Sequence, residues 1–242
     1  SQTDEQPTTL EELKHLVKTA ARMHAASWEA PWLDEIDTIM APGLDCWSAY
    51  FKDIQDGWPA FLADSSSELV PGVRPVAERL VDSMLPLTHE AMPRNKCCLT
   101  HLDFRLDNIF YDDASDDPAI LFDWQSMYKG RGANDIGFLL ATGYMPEFRR
   151  EHEQDLMQVY HDELLANGVT AYSGEEAWDD YLHGILIGLR LLPMFVDTLD
   201  MSSDRAHALA NKIVVGLGTA AVDHGGTELV DRLLSRATSV RA

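Results

Sequence analysis

The sequence predicts an α+β chain, mostly helical, with a small sheet set between two helical stretches. Three observations predict it. Apolar residues recur at helical spacing from Thr9 to near Pro93, they do so again from Asp135 to Arg236, and between these stretches CCLT, NIFY and AILFDW are short β-type runs. A chain of 242 residues, 45% hydrophobic and 24% charged, can bury a substantial core in one large domain or two small ones.

Each element has its own signal. Thr9 followed by Glu12 makes a capping box, after which Leu10, Leu13, Leu16, Val17, Ala20, Ala21 and His24 fall on one face. This helix is expected to reach Trp28, with Pro31 stopping it. A second apolar stripe comprises Leu44, Trp47, Tyr50, Phe51 and Ile54, and a third comprises Val76, Leu80, Val81 and Met84, closing near Pro93. From Cys97 to Trp124 the period changes to that of strands, with DDASDDP reading as the hairpin turn between NIFY and AILFDW. That acidic turn is no EF-hand, because it lacks the glycine at its sixth position and the closing glutamate. Helices are expected again over Asp135 to Tyr144, Glu147 to Ala166, Glu175 to Asp197, Arg205 to Val222 and Thr227 to Arg236, with Pro193 kinking or shortening the third. There is no internal repeat or low-complexity tract.

Composition excludes several classes of function. The net charge of −21, with acids along the whole chain, repels a nucleic-acid backbone. Such a charge ordinarily serves solubility, though an acidic surface also favours cationic ligands. The three cysteines, Cys46, Cys97 and Cys98, form no CxxC pair and are expected as buried, reduced thiols. The run ILIGLRLLPMFV is interrupted by Arg190 and falls short of the roughly 20 residues of a membrane span. The polar start, SQTDEQPTT, is unlike a secretory signal, so a soluble cytoplasmic protein is the expectation.

The chemistry concentrates in LTHLDFRLDNIFY and in the Asp123 that follows within AILFDW. The spacing reads as a phosphoryl-transfer loop. Asp103 is an acid that accepts a hydroxyl proton, Arg105 a cation two residues on for the phosphate, and Asn108 an amide oxygen five residues on for Mg²⁺. Asp123 supplies the second metal-binding side chain. The pattern HxDxxxxN arises by chance in about two of every hundred such chains, so its weight comes from the flanking β-type runs and the later acid. His101 belongs to the candidate catalytic set, with bracing of the loop the better expectation than proton transfer. Arg105 touches the transferring phosphate or pairs with Asp107 or another acid; both readings stand. The remaining histidines form no HExxH or similar ligand spacing.

HLDFRLDN, FDWQ and GRGANDIGFLL resemble the catalytic core of the aminoglycoside phosphotransferase and choline kinase-like superfamily, particularly its ecdysteroid-kinase-like and related bacterial members. MHAASW is similar to the His-containing helix those proteins carry after the hinge between lobes. The likeness spans most of the chain and is specific over residues 98 to 141. It implies the C-terminal lobe of a protein-kinase-like fold, with a β-hairpin sheet carrying the catalytic loop. Residues 1–95 would be its helical hinge-proximal part, 96–145 the catalytic loop and metal-binding strand, and 146–242 a helical substrate side. It further implies ATP, or GTP, and Mg²⁺ as cofactors, a small-molecule hydroxyl acceptor as partner, and Asp135 as structural support for the loop.

A complete kinase of this type carries a β-rich lobe with a phosphate-covering loop and a lysine before the catalytic loop. Here the only earlier glycines, Gly43, Gly57 and Gly72, are widely separated, and no strand, lysine and helix pattern precedes Thr9. The expectation is a C-terminal lobe alone, its N-terminal lobe missing, binding nucleotide weakly and turning over little. An apolar face where the missing lobe docks could support a homodimer. The acceptor is expected against the helices after Gly143 and the segment from Pro31 to Val70. Glu147, Asp155, Asp197 or Asp200 could suit an amine there, but their spacing does not single them out. Two rivals are a non-catalytic pseudokinase-like binding module and a metal-dependent hydrolase using His101, Asp103 and Asp123 as ligands.

Overall fold

The structure, a computed structural model, describes residues 9–35, 45–63, 70–90, 95–111, 119–194 and 204–239. Helix α1 (Leu10–Ala26) opens with the expected capping box, in which the Glu12 amide donates to Thr9 Oγ1 at 3.2 Å and the Thr9 amide donates to Glu12 Oε2 at 2.7 Å. It buries Leu13, Leu16, Val17, Ala20, Ala21 and His24, and ends at Ala26 rather than Trp28. Helices α2 (Asp45–Ala63) and α3 (Val73–Glu90) follow. Trp58, fully buried on α2, donates its indole N–H to the Arg190 carbonyl at 3.2 Å, which ties this early helix to the second helical stretch.

The strands are β1 (Cys98–Thr100), β2 (Ile109–Tyr111), β3 (Ala119–Leu121) and β4 (Tyr128–Gly130). They form two separate antiparallel ladders where one small sheet was expected: β2 pairs β3 with Phe110 opposite Ile120, while β1 pairs β4 with Leu99 opposite Lys129. β4 has no counterpart in the sequence reading, because three residues ending in glycine are too short to show alternation. The DDASDDP turn lies outside the described residues. The side chains of Cys97 and Cys98 are buried thiols outside any disulfide, and burial pushes Cys97 up to about 11.

The second helical stretch consists of α4 (Ala133–Gly143), α5 (Pro146–Ala166), α6 (Gly174–Arg190), α7 (Asp204–Asp223) and α8 (Thr227–Ser239). Every residue of α4 from Ala133 to Thr142 is buried. Close approach makes that possible: a Cβ on Gly184 of α6 would overlap the Asn134 main chain, and one on Gly216 of α7 would overlap the Ala141 carbonyl. Two neighbouring helices therefore touch α4 backbone to backbone. α6 ends at Arg190, shorter than expected, because Pro193 has no N–H to continue the ladder to Leu189. Asp197 and Asp200 lie outside the described residues. Among those described, no helix is long and apolar enough to cross a membrane.

Candidate functional site

The loop His101–Asn108 leaves β1 and turns back into β2. Its start is held by Asp135, on the first turn of α4. The His101 N–H donates to Asp135 Oδ2 at 2.7 Å and the Leu102 N–H donates to Oδ1 at 3.0 Å. Two consecutive amides can aim at one carboxylate because Leu102 takes a left-handed conformation, φ 65°, which curls the backbone into an anion-accepting nest. Asp135, 1% exposed, also meets His24 Nε2 at 3.2 Å, and His24 Nδ1 lies 3.0 Å from the Tyr160 hydroxyl. A carboxylate only accepts, so the imidazole donates from Nε2 and holds Tyr160 with its other nitrogen. The loop is thereby anchored to α4, α1 and α5.

Asp103 and Asn108 face each other across the loop. The two amide protons of Asn108 go to the Asp103 carbonyl and to Asp103 Oδ2, both at 2.9 Å. Since Nδ2 has only two protons, the Asn108 amide oxygen is the atom left for a ligand. Asp103 Oδ1 is buried and makes no hydrogen bond, although Arg105 Nε stands 3.1 Å away as an ion-pair partner. Arg105 also meets Asp107, at 3.5 Å. Both acids therefore pair with Arg105.

Asp123 is brought to the same end of the loop by its neighbour Phe122. The Phe122 N–H donates to the Asn108 carbonyl at 3.1 Å, and its carbonyl accepts from His101 Nε2 at 2.9 Å. His101 is fully buried, with its ring 4.7 Å from that of Trp124, so it braces the loop against the segment that carries Asp123. Asp123 itself is exposed. What marks it is its backbone: φ 64° and ψ 60°, the left-handed region, at a cost of about 1–2 kcal/mol for a residue with a Cβ.

Sequence reasoning missed an aromatic shelf beside these groups. Phe110, 51% exposed on β2, stacks on Phe122 at 4.5 Å, and its cross-strand neighbour Ile120 is equally exposed. The only available signal was a phenylalanine in a strand with its outer face unassigned. His24 was legible as a helical-face histidine within MHAASW, while its partners Asp135 and Tyr160, more than a hundred residues away, carried no signal of the contact. Among the acids considered for an amine, Glu147 is exposed and pairs with Arg150, and Asp155 is exposed.

The donor set suits Mg²⁺. Asn108 and Asp123 offer hard oxygens of the one-or-two-ligand kind that Mg²⁺ uses when phosphates and water supply the rest. Among the described residues no three His, Cys, Asp or Glu side chains converge, so His101, Asp103 and Asp123 do not form a ligand triad.

In comparisons with known proteins, no curated protein matches the sequence. The chain is similar in structure to a crystal structure from Ralstonia eutropha JMP134 assigned to the aminoglycoside phosphotransferases. The TM-score is 0.55 at 14% identity, over 91% of this chain and 68% of that one, a likeness of fold. The family model of the ecdysteroid kinase-like proteins matches residues 2–169, which include the whole loop, Asp123 and Asp135. With that stretch extending over more than half of its length, the chain belongs to the ecdysteroid kinase-like family.

Proposed function

We propose that this protein transfers a phosphoryl group from ATP, or GTP, to a hydroxyl of a small molecule, with Asp103 as the base. The observation that carries the reading is the Asp103–Asn108 clamp: it engages Oδ2 and leaves Oδ1 buried, without a hydrogen bond, beside Arg105. Oδ1 is the atom to receive the acceptor proton. As the acceptor oxygen bonds the γ-phosphorus, the bond to the bridging oxygen breaks and its electron pair leaves with the nucleoside diphosphate. Mg²⁺, held through Asn108 and Asp123, would neutralise the phosphate charge. Arg105 shares its charge between Asp103 and the incoming phosphate, and the Phe110–Phe122 shelf offers a flat apolar surface for a nucleobase. Most of the rate would come from positioning and electrostatics.

Calorimetric titration with Mg-ATP tests this. The wild type should bind saturably, Asp123→Asn should weaken binding about a hundredfold, as loss of a charged metal ligand implies, and Asp103→Asn should leave it nearly unchanged. Equal binding by wild type and Asp123→Asn would count against the reading, whereas none by a folded wild type is the outcome expected of a C-terminal lobe without its N-terminal lobe. A pseudokinase-like module would bind Mg-ATP yet leave every hydroxyl acceptor unphosphorylated.

A further inference from the structure

MHAASW, which spans the end of α1, brings a second buried polar side chain to the strand before the loop. Ser27, the residue that caps the helix, is 4% exposed. Its hydroxyl has one proton, shared between the Met23 carbonyl at 3.1 Å and the His24 carbonyl at 3.3 Å, so its lone pairs are left to accept. The Leu99 N–H donates to that oxygen at 3.0 Å. Two residues beyond Ser27, the Glu29 N–H donates to the Cys97 carbonyl at 2.7 Å, and the Glu29 carboxylate accepts the Lys96 N–H at 2.9 Å.

Among the described residues, β4 is the strand paired with β1, and it occupies one edge. N–H groups two residues apart in a strand point to the same edge. Those of Leu99 and His101 both turn from β4, one to Ser27 and the other to Asp135. The edge that a third strand would otherwise satisfy is therefore held by side chains from two helices, α1 and α4. Asp135 fixes the chain at residues 101 and 102, Ser27 fixes it at residue 99, and two fixed points set the direction in which the backbone enters Asp103.

We infer that Ser27 is a positioning residue for the phosphotransfer proposed above, acting through β1 to set the angle at which Asp103 meets Asn108 and the acceptor. The inference rests on that reading for the role of Asp103. A misplacement of about 1 Å between reacting groups can cost about a hundredfold in rate, which gives weight to a serine that touches none of them. Alanine in its place would leave the Leu99 amide without its acceptor, and the strand free to pivot about its remaining contacts.

Two-dimensional NMR of the full chain reads this without nucleotide or acceptor. Both side-chain amide protons of Asn108 are bonded to Asp103, so their resonances report the clamp. Ser27→Ala should move them toward the values of a free amide and speed exchange at the His101 and Leu102 amides about tenfold. Ser27→Cys, with a weaker acceptor, should move them less, and Ser27→Thr, which keeps the hydroxyl, should leave them as in the wild type. Tyr181→Phe, which removes one hydrogen bond to Glu153, is the control for lost stability alone and should leave Asn108 unmoved. Wild-type Asn108 signals in Ser27→Ala and Ser27→Cys, an equal movement in Tyr181→Phe, or a movement in Ser27→Thr as large as in Ser27→Ala would overturn the inference. None of these signals needs phosphoryl transfer. Equal Mg-ATP binding by wild type and Asp123→Asn would strike the phosphotransfer reading alone, while the Asn108 signals still decide whether Ser27 holds the loop.

Discussion

Asp135 and Glu153 are both buried carboxylates, yet they hold different things. Asp135 accepts from two main-chain amides of the loop and from His24. Glu153, on α5, meets only side chains at a single oxygen: Arg149 Nη1 at 2.6 Å, the Tyr181 hydroxyl at 2.7 Å and His224 Nε2 at 3.1 Å. Arg149 continues to Asp223 at the end of α7, so this cluster joins α5, α6 and α7. Burial pushes the Glu153 carboxyl up, but the hydrogen bonds from His224 and Tyr181 and the charges of His224 and Arg149 outweigh it and hold the group below its usual range. A carboxylate bonded to backbone sets the shape of a loop, whereas one bonded to side chains sets the spacing of helices. The first bears on geometry at Asp103, the second on stability alone.

The largest expected effect comes from Asp135→Ala, which leaves two buried amides and the His24 N–H without acceptors. Denaturant unfolding should show a loss of about 4 kcal/mol, and hydrogen exchange should show His101 and Leu102 losing protection. Glu153→Gln should cost about 3 kcal/mol by leaving Arg149 poorly compensated, with His101 and Leu102 exchanging as in the wild type. If the loop amides lose protection here too, the distinction between the two carboxylates fails.

Acid separates the regions in a second way. Burial, with the charges of Arg190 and Arg131, lowers His183 of α6 to about 3, so the folded chain keeps it neutral while the unfolded chain protonates it near 6.5. Stability should be level above pH 6.5 and fall below it by up to about 1.4 kcal/mol per unit, toward about 3. Glu153, depressed, contributes only above its unfolded value and loses its share below about pH 4.5, and Asp180, raised by burial, gains stability as the pH falls, so a loss between pH 6.5 and 4.5 belongs to His183. His183→Gln should flatten that interval in a pH series of unfolding curves; an unchanged slope would assign it elsewhere. The smallest effect belongs to Tyr160→Phe, which removes one hydrogen bond to His24, two steps from the loop. About 1 kcal/mol of stability should go, and a larger drop with loop exposure would show the anchor is less redundant than the three bonds to Asp135 imply.

Much of this was legible in the chain. The Thr9–Glu12 box is local chemistry, and α1 starts where those two residues place it. Asp103, Asn108 and Asp123 were found by spacing, because a turn between short strands confines the relative positions of nearby side chains. Other features were not legible. β4 is three residues long and takes its partner from across the loop. The left-handed Leu102 and Asp123 carry ordinary side chains that announce no special backbone.

The sequence by itself determined the mostly helical class, the start of α1 at its capping box, and the cluster of phosphoryl-transfer residue types, since each rests on interactions within a few residues. Only the tertiary structure decided which acid carries the loop and that Arg105 is shared between Asp103 and Asp107. Those outcomes depend on α1, α4, α5 and α7 meeting in space, and such meetings are set by packing and burial across the whole chain rather than by neighbours along it.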